Sequence, residues 1–310
     1  MQGMDSRAER RIIVSGITGH IGRRLAWQLD SLGYKVYGLT RQAPTSSLGL
    51  PSTVTLCWID DRTETLCEIF QKYHPDTVIH LAALARRHHL VTDITTFVEA
   101  NILLGAQILE AMRHSGCSRF ITAESILQFS AAGGFRAFNF YAATKQAFAD
   151  LLLYFTDAFD IAAIALVLPT IYSEYETSPK LMTDIASAAL SDSIVTLKES
   201  TVPVDLVHVE DVANAFVRAT EILNESTPRR TELSRYCVSS GNFITPPDLI
   251  VLFEKVGRRE IRFQKQPGLE SLRRGRPWSG PILPGWAPRI DLESGIQRML
   301  SRSCRGGVTS

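Results

Sequence analysis

The stretch that decides the fold is Ile12-Ile13-Val14-Ser15-Gly16-Ile17-Thr18-Gly19-His20-Ile21-Gly22. A short β-branched run is followed by glycines spaced as GxxGxxG, which lead into a segment with helical periodicity. Gly16 permits a tight turn, Gly19 lets the backbone approach a pyrophosphate, and Gly22 lets the helix pack against the strand. The N-terminus of such a helix also favours phosphate. The stretch therefore predicts a dinucleotide-binding turn rather than a plain glycine-rich connection, and its predicted cofactor-binding residues are Gly16, Thr18, Gly19, His20 and Ile21.

The segments that follow this turn alternate between strand and helix patterns as far as Leu168. This rhythm predicts an α/β protein with a doubly wound parallel Rossmann sheet covered on both faces. After Leu168 the rhythm breaks, which predicts a smaller C-terminal substrate-binding lobe. The predicted boundaries are a flexible N-terminus at 1–10, the Rossmann domain at 11–169 with about 205–225, the lobe at 170–204 and 226–300, and a flexible tail at 301–310.

Composition narrows the classes of partner. The 310 residues include 33 Lys and Arg against 32 Asp and Glu, so the net charge is +1. This balance argues against broad electrostatic binding to nucleic acid or to an anionic membrane. No apolar run is long enough to span a membrane, and the polar N-terminus lacks the apolar core of a secretory signal. Five scattered cysteines favour neither a disulfide framework nor a zinc site, so we expect a cytoplasmic protein.

The end of the second predicted strand indicates which dinucleotide binds. NAD sites usually carry an acid there for the adenosine ribose, whereas a nearby arginine suits a 2′-phosphate. The sequence reads Gly38-Leu39-Thr40-Arg41, with Arg41 in place and no acid. NADP is therefore the predicted cofactor, with NAD as the alternative if Arg41 is only a solvated surface residue. After the third strand, Asp60 or Asp61 is positioned to accept a hydrogen bond from the adenine amino group.

A second constellation points to proton transfer. Tyr141 and Lys145 are four residues apart at the start of a predicted helix, so the phenol and the ammonium share a face. A nearby positive charge is expected to lower the pKa of the phenol toward the working range, and the nicotinamide of an oxidised cofactor would lower it further. Ser125 ends the fifth strand and is placed to hold a substrate oxygen. The alternative is an ordinary aromatic–cation surface pair.

Several further residues are candidates for either a functional or a structural role. The basic loop Arg86-Arg87-His88-His89 is expected to be solvated, with a substrate phosphate as the less favoured partner. His208 and Asp211 are expected to make structural hydrogen bonds, since no third metal ligand has suitable spacing. Trp58 is expected in the core. Arginines in the predicted lobe are candidates either for a nucleotide diphosphate or for a solubilising face, and they are Arg258, Arg259, Arg273, Arg274 and Arg276.

Taken together, these motifs resemble the extended short-chain dehydrogenase/reductases that modify nucleotide sugars. Further matching pieces are His80-Leu-Ala-Ala83, Asn101, the segment from Asp205 to Asp211, and Leu283-Pro-Gly-Trp-Ala-Pro288 followed by Leu292-Glu-Ser-Gly295. The resemblance implies that Tyr141 is the acid-base, that Lys145 also holds the nicotinamide ribose, and that Ser125 orients the reacting oxygen. It also implies that Leu81, Ala82, Ala83 and Pro169 line the cofactor, and that Lys180 and Leu181 face the sugar nucleotide.

Departures from that family narrow the reaction. Sugar-nucleotide 4,6-dehydratases carry a glutamate two residues past the strand-end hydroxyl, and enzymes that epimerise C3 or C5 carry a cysteine there, whereas this chain has Leu127. Glu124 is expected to point away from Ser125 because side chains alternate along a strand. Phe129-Ser130 and Tyr172-Ser173 replace the usual Tyr-Gly pairs, so the sugar cannot be assigned by analogy.

The predicted function is therefore NADP-dependent reduction of a 4-keto nucleotide sugar, with transfer of the 4-pro-S hydride implied by the resemblance. A nucleotide-sugar 4-epimerase with tightly bound NAD is the first alternative, and a catalytically silent NADP-binding sensor or scaffold is the second. The resemblance also implies a homodimer built from the helices at 97–112 and 141–159.

Overall fold

The computed structural model describes residues 10–41, 49–86, 88–129, 134–176, 178, 180–191, 193–198, 203–225, 232–266 and 280–306, with the side chains of 303–306 excepted. Several predictions therefore lie outside the described residues: the flexible N-terminus up to residue 9, Arg87, Ser130, the arginines at 273, 274 and 276, and the last four residues. No helix among the described residues is long and apolar enough to cross a membrane. The thiols of Cys57, Cys67, Cys117 and Cys237 are free.

Among the residues that the structure describes, twelve strands form three sheets. In chain order they are β1 Arg11–Ser15, β2 Lys35–Thr40, β3 Thr55–Trp58, β4 Thr77–His80, β5 Arg119–Ser125, β6 Ala162–Leu168, β7 Thr170–Tyr172, β8 Val195–Lys198, β9 Val204–His208, β10 Leu233–Cys237, β11 Phe243–Ile244 and β12 Phe263–Gln266. The central sheet is parallel, with the order β10-β6-β5-β4-β1-β2-β3. The strand order reverses between β1 and β4, because β2 and β3 lie on one side of β1 and the later strands lie on the other. Ligands of open α/β sheets bind at the carboxyl ends of the strands at such a point.

Nine α-helices cover these strands in the described part of the chain. They are α1 His20–Ser31, α2 Thr63–Tyr73, α3 Ile94–Val98, α4 Leu104–Ser115, α5 Phe140–Phe159, α6 Leu181–Leu190, α7 Val209–Glu225, α8 Pro246–Gly257 and α9 Leu292–Gly306. Helices α1 and α7 pack on one face of the central sheet, and α2, α4 and α5 pack on the other. A third core joins α6, α8 and α9 in the smaller lobe. The predicted α/β Rossmann architecture is thus confirmed.

The division between sheet domain and lobe differs from the prediction in two places. Strand β10 was assigned to the lobe, yet it pairs with β6 at the edge of the central sheet. Strand β9 was assigned to the Rossmann domain, yet it lies between β7 and β11 in a separate sheet of three strands. Helix α7, which follows β9, does pack on the central sheet through side chains such as Val212 and Phe216. The chain therefore crosses between the two parts more often than its local patterns indicate.

Three smaller expectations were wrong. The helix expected at 97–112 is interrupted by a π-helical turn, Glu99–Leu103. The expected tail from residue 301 continues instead as the end of α9, as far as Gly306. Trp58 is not in the core, because its strand β3 is the edge of the sheet and its side chain is 56% exposed.

Candidate functional site

The glycine turn has the close packing that its spacing predicts. Gly16 has a φ of +70°, a backbone conformation that favours glycine. A Cβ atom there would lie 2.6 Å from the backbone nitrogen of Ala82, and one on Gly22 would lie 2.2 Å from the carbonyl oxygen of Gly16. Leu81 and Ala82 therefore lie directly against the turn, and the backbone of Leu81 also bonds the carbonyl of Ser15. The turn and the segment after β4 form one side of a crevice.

The start of α1 fits the diphosphate of a dinucleotide. Its N-cap is Gly19, and within the described residues no side chain caps it and no acidic residue occupies the first turn of the helix. The first N–H groups of the helix are thus left without a competing carboxylate, and the helix dipole favours an anion there. Thr18, His20 and Ile21, the other residues of the turn predicted to bind the cofactor, flank this point in the chain.

Arg41 and the two aspartates stand at the neighbouring strand ends. Arg41 follows β2, is exposed, and has its Nη2 3.7 Å from Oδ1 of Asp61. Asp60 follows β3, and its carboxylate accepts hydrogen bonds from the backbone N–H and the Nε–H of Arg62 at 3.0 and 2.8 Å. These contacts lower the pKa of Asp60 to about 2. Arg41 is available to an anion at this edge of the crevice, whereas the Asp60 carboxylate is partly engaged locally.

Ser125 and Tyr141 are brought together by a β-strand end and a helix start. Ser125 is the last residue of β5, and its backbone N–H donates to the buried amide oxygen of Gln128 at 2.8 Å. Asn139 caps α5 by accepting a 2.9 Å hydrogen bond from the backbone of Ala142, so Tyr141 lies in the first turn. The Ser125 side chain lies close enough to the Tyr141 phenol to lower its pKa. The two groups can therefore address one oxygen atom of a substrate.

The protonation of these groups differs from the prediction in one respect. Burial raises the pKa of Tyr141 to about 12, and the nearby Ser125 side chain opposes this rise. The lowering expected from Lys145 is therefore not observed: the pKa of Tyr141 is set by burial, and among the described residues only Ser125 opposes its rise. Lys145 is itself buried, and burial lowers its pKa to about 8 while the carboxylate of Glu124 opposes the fall. The charge on Lys145 is therefore sensitive to mildly alkaline pH.

Glu124 is oriented as the alternation of the strand predicts, and it has a partner that the sequence does not reveal. Both of its carboxylate oxygens lie 3.0 Å from the Nε of Arg235 on β10. Burial raises the pKa of Glu124, and the charges of Arg235 and Lys145 oppose this rise. The Glu124 carboxylate thus lies on the face of the sheet that α5 covers, which is also the face on which Lys145 lies.

A chain of contacts runs from the strand before the glycine turn toward Lys145. The Ser15 hydroxyl lies 2.7 Å from Nδ1 of His80, and Ser15 and His80 are register partners on adjacent strands. His80 is fully buried between the rings of Phe120 and Phe148. Burial, with a smaller effect from the nearby Lys145 ammonium, lowers the pKa of His80 to about 3. His80 therefore stays neutral at neutral pH.

Asn101 is a site-building residue whose role the sequence does not show. Its amide nitrogen donates to the hydroxyl of Thr144 at 2.8 Å, and its amide oxygen accepts the backbone N–H of Leu84 at 2.6 Å. It lies in the π-helical turn, which separates α3 from α4. One side chain thus ties the loop after β4 to α5, the helix that carries Tyr141 and Lys145.

The remaining predicted site residues lie at the carboxyl end of the sheet or in the lobe. Pro169 follows Leu168, which is the register partner of Ser125, and Ala83 follows Ala82. Lys180 caps the start of α6 and bonds Glu176 through its Nζ. Lys180 and Leu181 share a small cleft with Ser173. Pro169 and Ala83 thus lie at the carboxyl end of the sheet, whereas Lys180 and Leu181 lie in the lobe beside Ser173.

The other candidates have structural partners. His89 packs on the ring of Phe140 with centroids 4.6 Å apart, while His88 is exposed. His208 bonds Glu174 at 2.9 Å, and the Asp211 carboxylate accepts two backbone N–H groups at 3.1 and 3.0 Å. This confirms their structural roles. Arg258 and Arg259 are exposed at the end of α8. Among the described residues, no cluster of His, Cys, Asp and Glu could hold a metal ion.

Comparisons with known proteins agree with this arrangement. Residues 12–232 match the NAD dependent epimerase/dehydratase family. The CDP-abequose synthase of Yersinia pseudotuberculosis is 26% identical over 67% of this chain and 72% of its own, and that of Salmonella typhimurium is 23% identical over 94% and 97%. The structure of Thermus thermophilus UDP-glucose 4-epimerase in complex with NAD superposes with a TM-score of 0.78 at 23% identity, covering 96% of this chain and all of that one.

The family match covers the glycine turn, the Ser125 strand end and the helix with Tyr141 and Lys145, and the shared fold extends over nearly the whole chain. It confirms the resemblance drawn from the sequence. The protein is therefore an enzyme of the NAD dependent epimerase/dehydratase family.

Proposed function

We propose that the protein is an NADP-dependent oxidoreductase that reduces the 4-keto group of a nucleotide-activated sugar. The arrangement that carries this proposal places the Ser125 side chain, at the end of β5, beside the Tyr141 phenol in the first turn of α5. A buried Lys145 follows one helical turn later, and the glycine turn lies at the same carboxyl end of the sheet. These are the groups needed to hold a carbonyl oxygen and to protonate it. The proposal rests on that geometry, on the family match and on the similarity to enzymes of nucleotide-sugar metabolism.

Reduction adds a hydride to the carbonyl carbon and a proton to its oxygen. Bound NADPH would supply the hydride. The Ser125 hydroxyl would donate a hydrogen bond to the carbonyl oxygen, and the Tyr141 hydroxyl would transfer its proton to that oxygen as negative charge develops. The Lys145 ammonium would stabilise the phenolate left on Tyr141, which then regains a proton from solvent.

Two residues favour a reductase: Leu127 argues against a dehydratase or an epimerase of C3 or C5, and Arg41 argues against a 4-epimerase. Leu127 follows Ser125 in a short turn, so no titratable side chain stands where a second base would be needed. Arg41 stands at the end of β2 without an acid, which suits the exchangeable cofactor NADP more than a permanently bound NAD. A 4-epimerase with tightly bound NAD stays the alternative function.

The nucleotide carried by the sugar is proposed from the relatives. Two enzymes named CDP-abequose synthase match this chain, one of them over 94% of its length. We therefore expect a CDP-linked sugar, with Lys180 at the entrance of the lobe as a candidate for its diphosphate. Lys180 is exposed, and its Nζ donates a hydrogen bond to the carboxylate of Glu176. A bound diphosphate would compete with Glu176 for this ammonium group.

A homodimer is also proposed. The helices that pair in the family carry exposed apolar side chains here: Val98 and Leu103 before α4, and Leu153 and Tyr154 on α5, are 40 to 58% exposed. Burial of these groups against a second copy would remove apolar surface from water. Light scattering of the purified protein should give about twice the mass of 34.4 kDa.

The experiment that tests the function is incubation with NADPH and a panel of CDP- and UDP-linked 4-keto sugars. The proposal expects loss of the absorbance of reduced nicotinamide with at least one CDP-linked member and formation of the 4-hydroxy sugar. Release of NAD from the purified protein, with interconversion of two 4-hydroxy sugars and no net use of cofactor, would establish the epimerase instead. No reaction with any member would overturn the reductase, and no binding of NADPH or NADH would overturn both activities at an earlier step.

A further inference from the structure

The side chain of His20 reaches from the phosphate turn into the smaller lobe. His20 is the first residue of α1, so its backbone belongs to the turn that fits the cofactor diphosphate. Its Nε2 lies 3.1 Å from the hydroxyl of Ser173, a contact between residues 153 positions apart. Ser173 is fully buried and is the residue after β7. One residue thus contacts both the cofactor side and the lobe side of the crevice.

Ser173 is part of the wall that faces the predicted substrate residues. Its hydroxyl also accepts the backbone N–H of Tyr175 at 3.0 Å, so it fixes the start of the segment after β7. Ser173, Glu176, Lys180 and Leu181 line one small cleft. A change in the position of Ser173 is therefore expected to move the groups that would hold the nucleotide of the substrate.

Several charges face His20 from the elements packed around it. Glu176 lies on the segment after β7, Lys180 at the start of α6, Arg24 on α1, and His208 at the end of β9. Burial lowers the pKa of His20, Glu176 opposes this, and the three basic groups add to it. The imidazole is therefore neutral at neutral pH and can accept or donate a hydrogen bond according to its tautomer.

We propose that His20 is a positioning residue, whose hydrogen bond to Ser173 couples dinucleotide binding at the start of α1 to nucleoside diphosphate binding in the cleft of Ser173, Lys180 and Leu181. The inference rests on the proposed function, since it needs both ligands. A bound diphosphate fixes the first turn of α1, and His20 transmits this order to Ser173. By linkage the coupling is reciprocal, so each ligand strengthens the binding of the other by the same factor.

Calorimetric titration of CDP and of UDP, each with and without saturating NADP, tests this coupling. In the wild-type chain NADP should tighten the binding of CDP about five- to tenfold. In Ser173→Ala and in His20→Phe, the ratio of the CDP affinities measured with and without NADP should fall to about one. His20→Gln keeps a polar side chain able to reach Ser173 and should retain part of the coupling. Ser191→Ala, at the far end of α6, is the matched control and should behave as wild type.

The outcomes separate the inference from the function on which it rests. If NADP does not bind at all, or neither CDP nor UDP binds, the proposed function fails. If both ligands bind without coupling in the wild type, or with full coupling in His20→Phe, the function stands and the inference is wrong.

A second measurement follows His20 directly. The imidazole resonances of His20, assigned by their loss in His20→Gln, should titrate below the ordinary value of 6.5 in the free protein. Added NADP brings negative charge close to the ring and should raise that pKa. The same titration midpoint with and without bound NADP would contradict the inference.

Discussion

Glu124, the neighbour of Ser125 in the chain, is paired beneath α5 with Arg235, whose Nε lies 3.0 Å from both carboxylate oxygens. The two residues are 111 positions apart and lie on strands separated by β6. The pair holds a buried negative charge close enough to Lys145 to oppose the effect of burial on its pKa. The protonation of Lys145 is thus set partly by a residue that does not contact the crevice.

This arrangement predicts how cofactor binding depends on pH. The pKa of Lys145 is lowered to about 8, so the ammonium loses its proton as the pH rises through that value. The affinity for NADPH should therefore fall as the pH rises from 7 to 9. Glu124→Gln should move the midpoint to lower pH, because the charge that favours the ammonium is gone. Lys145→Met should bind weakly at every pH, without this transition.

Fluorescence titration of NADPH across this pH range is the measurement. Glu68→Gln, a change on the exposed face of α2, serves as the control and should keep the wild-type midpoint. An identical midpoint in Glu124→Gln and wild type would show that Glu124 has no influence on Lys145.

Tyr141→Phe is expected to remove the proton donor while leaving the cofactor site intact. The reaction rate should fall by about 10²- to 10⁴-fold, the usual contribution of a general acid. The dissociation constant for NADPH should change by less than about threefold, because the phenol is not needed to hold the diphosphate. Stopped-flow measurement of hydride transfer and equilibrium titration distinguish the two effects. Full activity in this variant would favour a different proton donor or the catalytically silent alternative.

Arg41 is expected to decide between the two dinucleotides. Arg41→Ala should weaken NADPH at least about tenfold, or about 1.4 kcal/mol, and leave NADH almost unchanged, because only NADPH carries the 2′-phosphate. Asp61, whose Oδ1 lies 3.7 Å from Nη2 of Arg41, should oppose the phosphate. Asp61→Asn should thus tighten NADPH modestly. Parallel titrations with NADPH and NADH check this, and equal losses for both in Arg41→Ala would refute the assignment.

Substitutions at two glycines distinguish the cost of a strained backbone from the cost of a steric clash. Gly16 and Gly49 have similar φ values, +70° and +64°, but a Cβ atom at Gly49 would meet nothing within 4 Å. Gly49→Ala should therefore cost only the backbone strain, about 1–2 kcal/mol of unfolding free energy. Gly16→Ala adds a contact of 2.6 Å with the backbone of Ala82, so it should cost more and abolish NADPH binding. Urea unfolding of both variants tests this, and equal losses would show that the turn relaxes.

Because His80 is buried, we expect the free energy of unfolding to fall as the pH is lowered. Its pKa is lowered to about 3 in the folded chain, against 6.5 in the unfolded chain. At pH 7 both states are neutral, so His80 contributes nothing. As the pH falls below 6.5 the unfolded chain gains a proton that the folded chain rejects, and stability falls by about 1.4 kcal/mol for each pH unit.

Unfolding in urea between pH 7 and pH 5 measures that slope. His80→Gln should be less stable at pH 7, because it loses the contact with Ser15, but its stability should depend less on pH. The exposed His88→Gln is the control and should keep the wild-type slope. If His80→Gln keeps the wild-type slope, His80 is not the group responsible.

The features that the sequence predicts well are local. Three features each depend on a few consecutive residues: the glycine turn, the serine at the end of β5, and the Tyr141–Lys145 spacing. The structure places all three at the carboxyl end of the central sheet. The features it does not predict join distant residues: His20 with Ser173, and Asn101 with Thr144, 153 and 43 positions apart. Periodicity carries no information about such pairs.

The wrong expectations have the same origin. The position of β10 at the sheet edge depends on pairing with β6, which no local pattern specifies. The exposure of Trp58 follows from the edge position of β3 rather than from the residue type. The pKa of Tyr141 was expected to fall because Lys145 is one helical turn away, whereas burial, which only the folded chain reveals, raises it.

Hydride transfer to the sugar is tested most directly by a reaction with stereospecifically deuterated NADPH and a CDP-linked 4-keto sugar. NADPH labelled at the 4-pro-S position should transfer one deuterium to C4 of the sugar, the 4-pro-R label should stay on the cofactor, and Tyr141→Phe should transfer the 4-pro-S label far more slowly. A reduced sugar without deuterium from either form, or equal transfer by Tyr141→Phe, would contradict the proposed reduction.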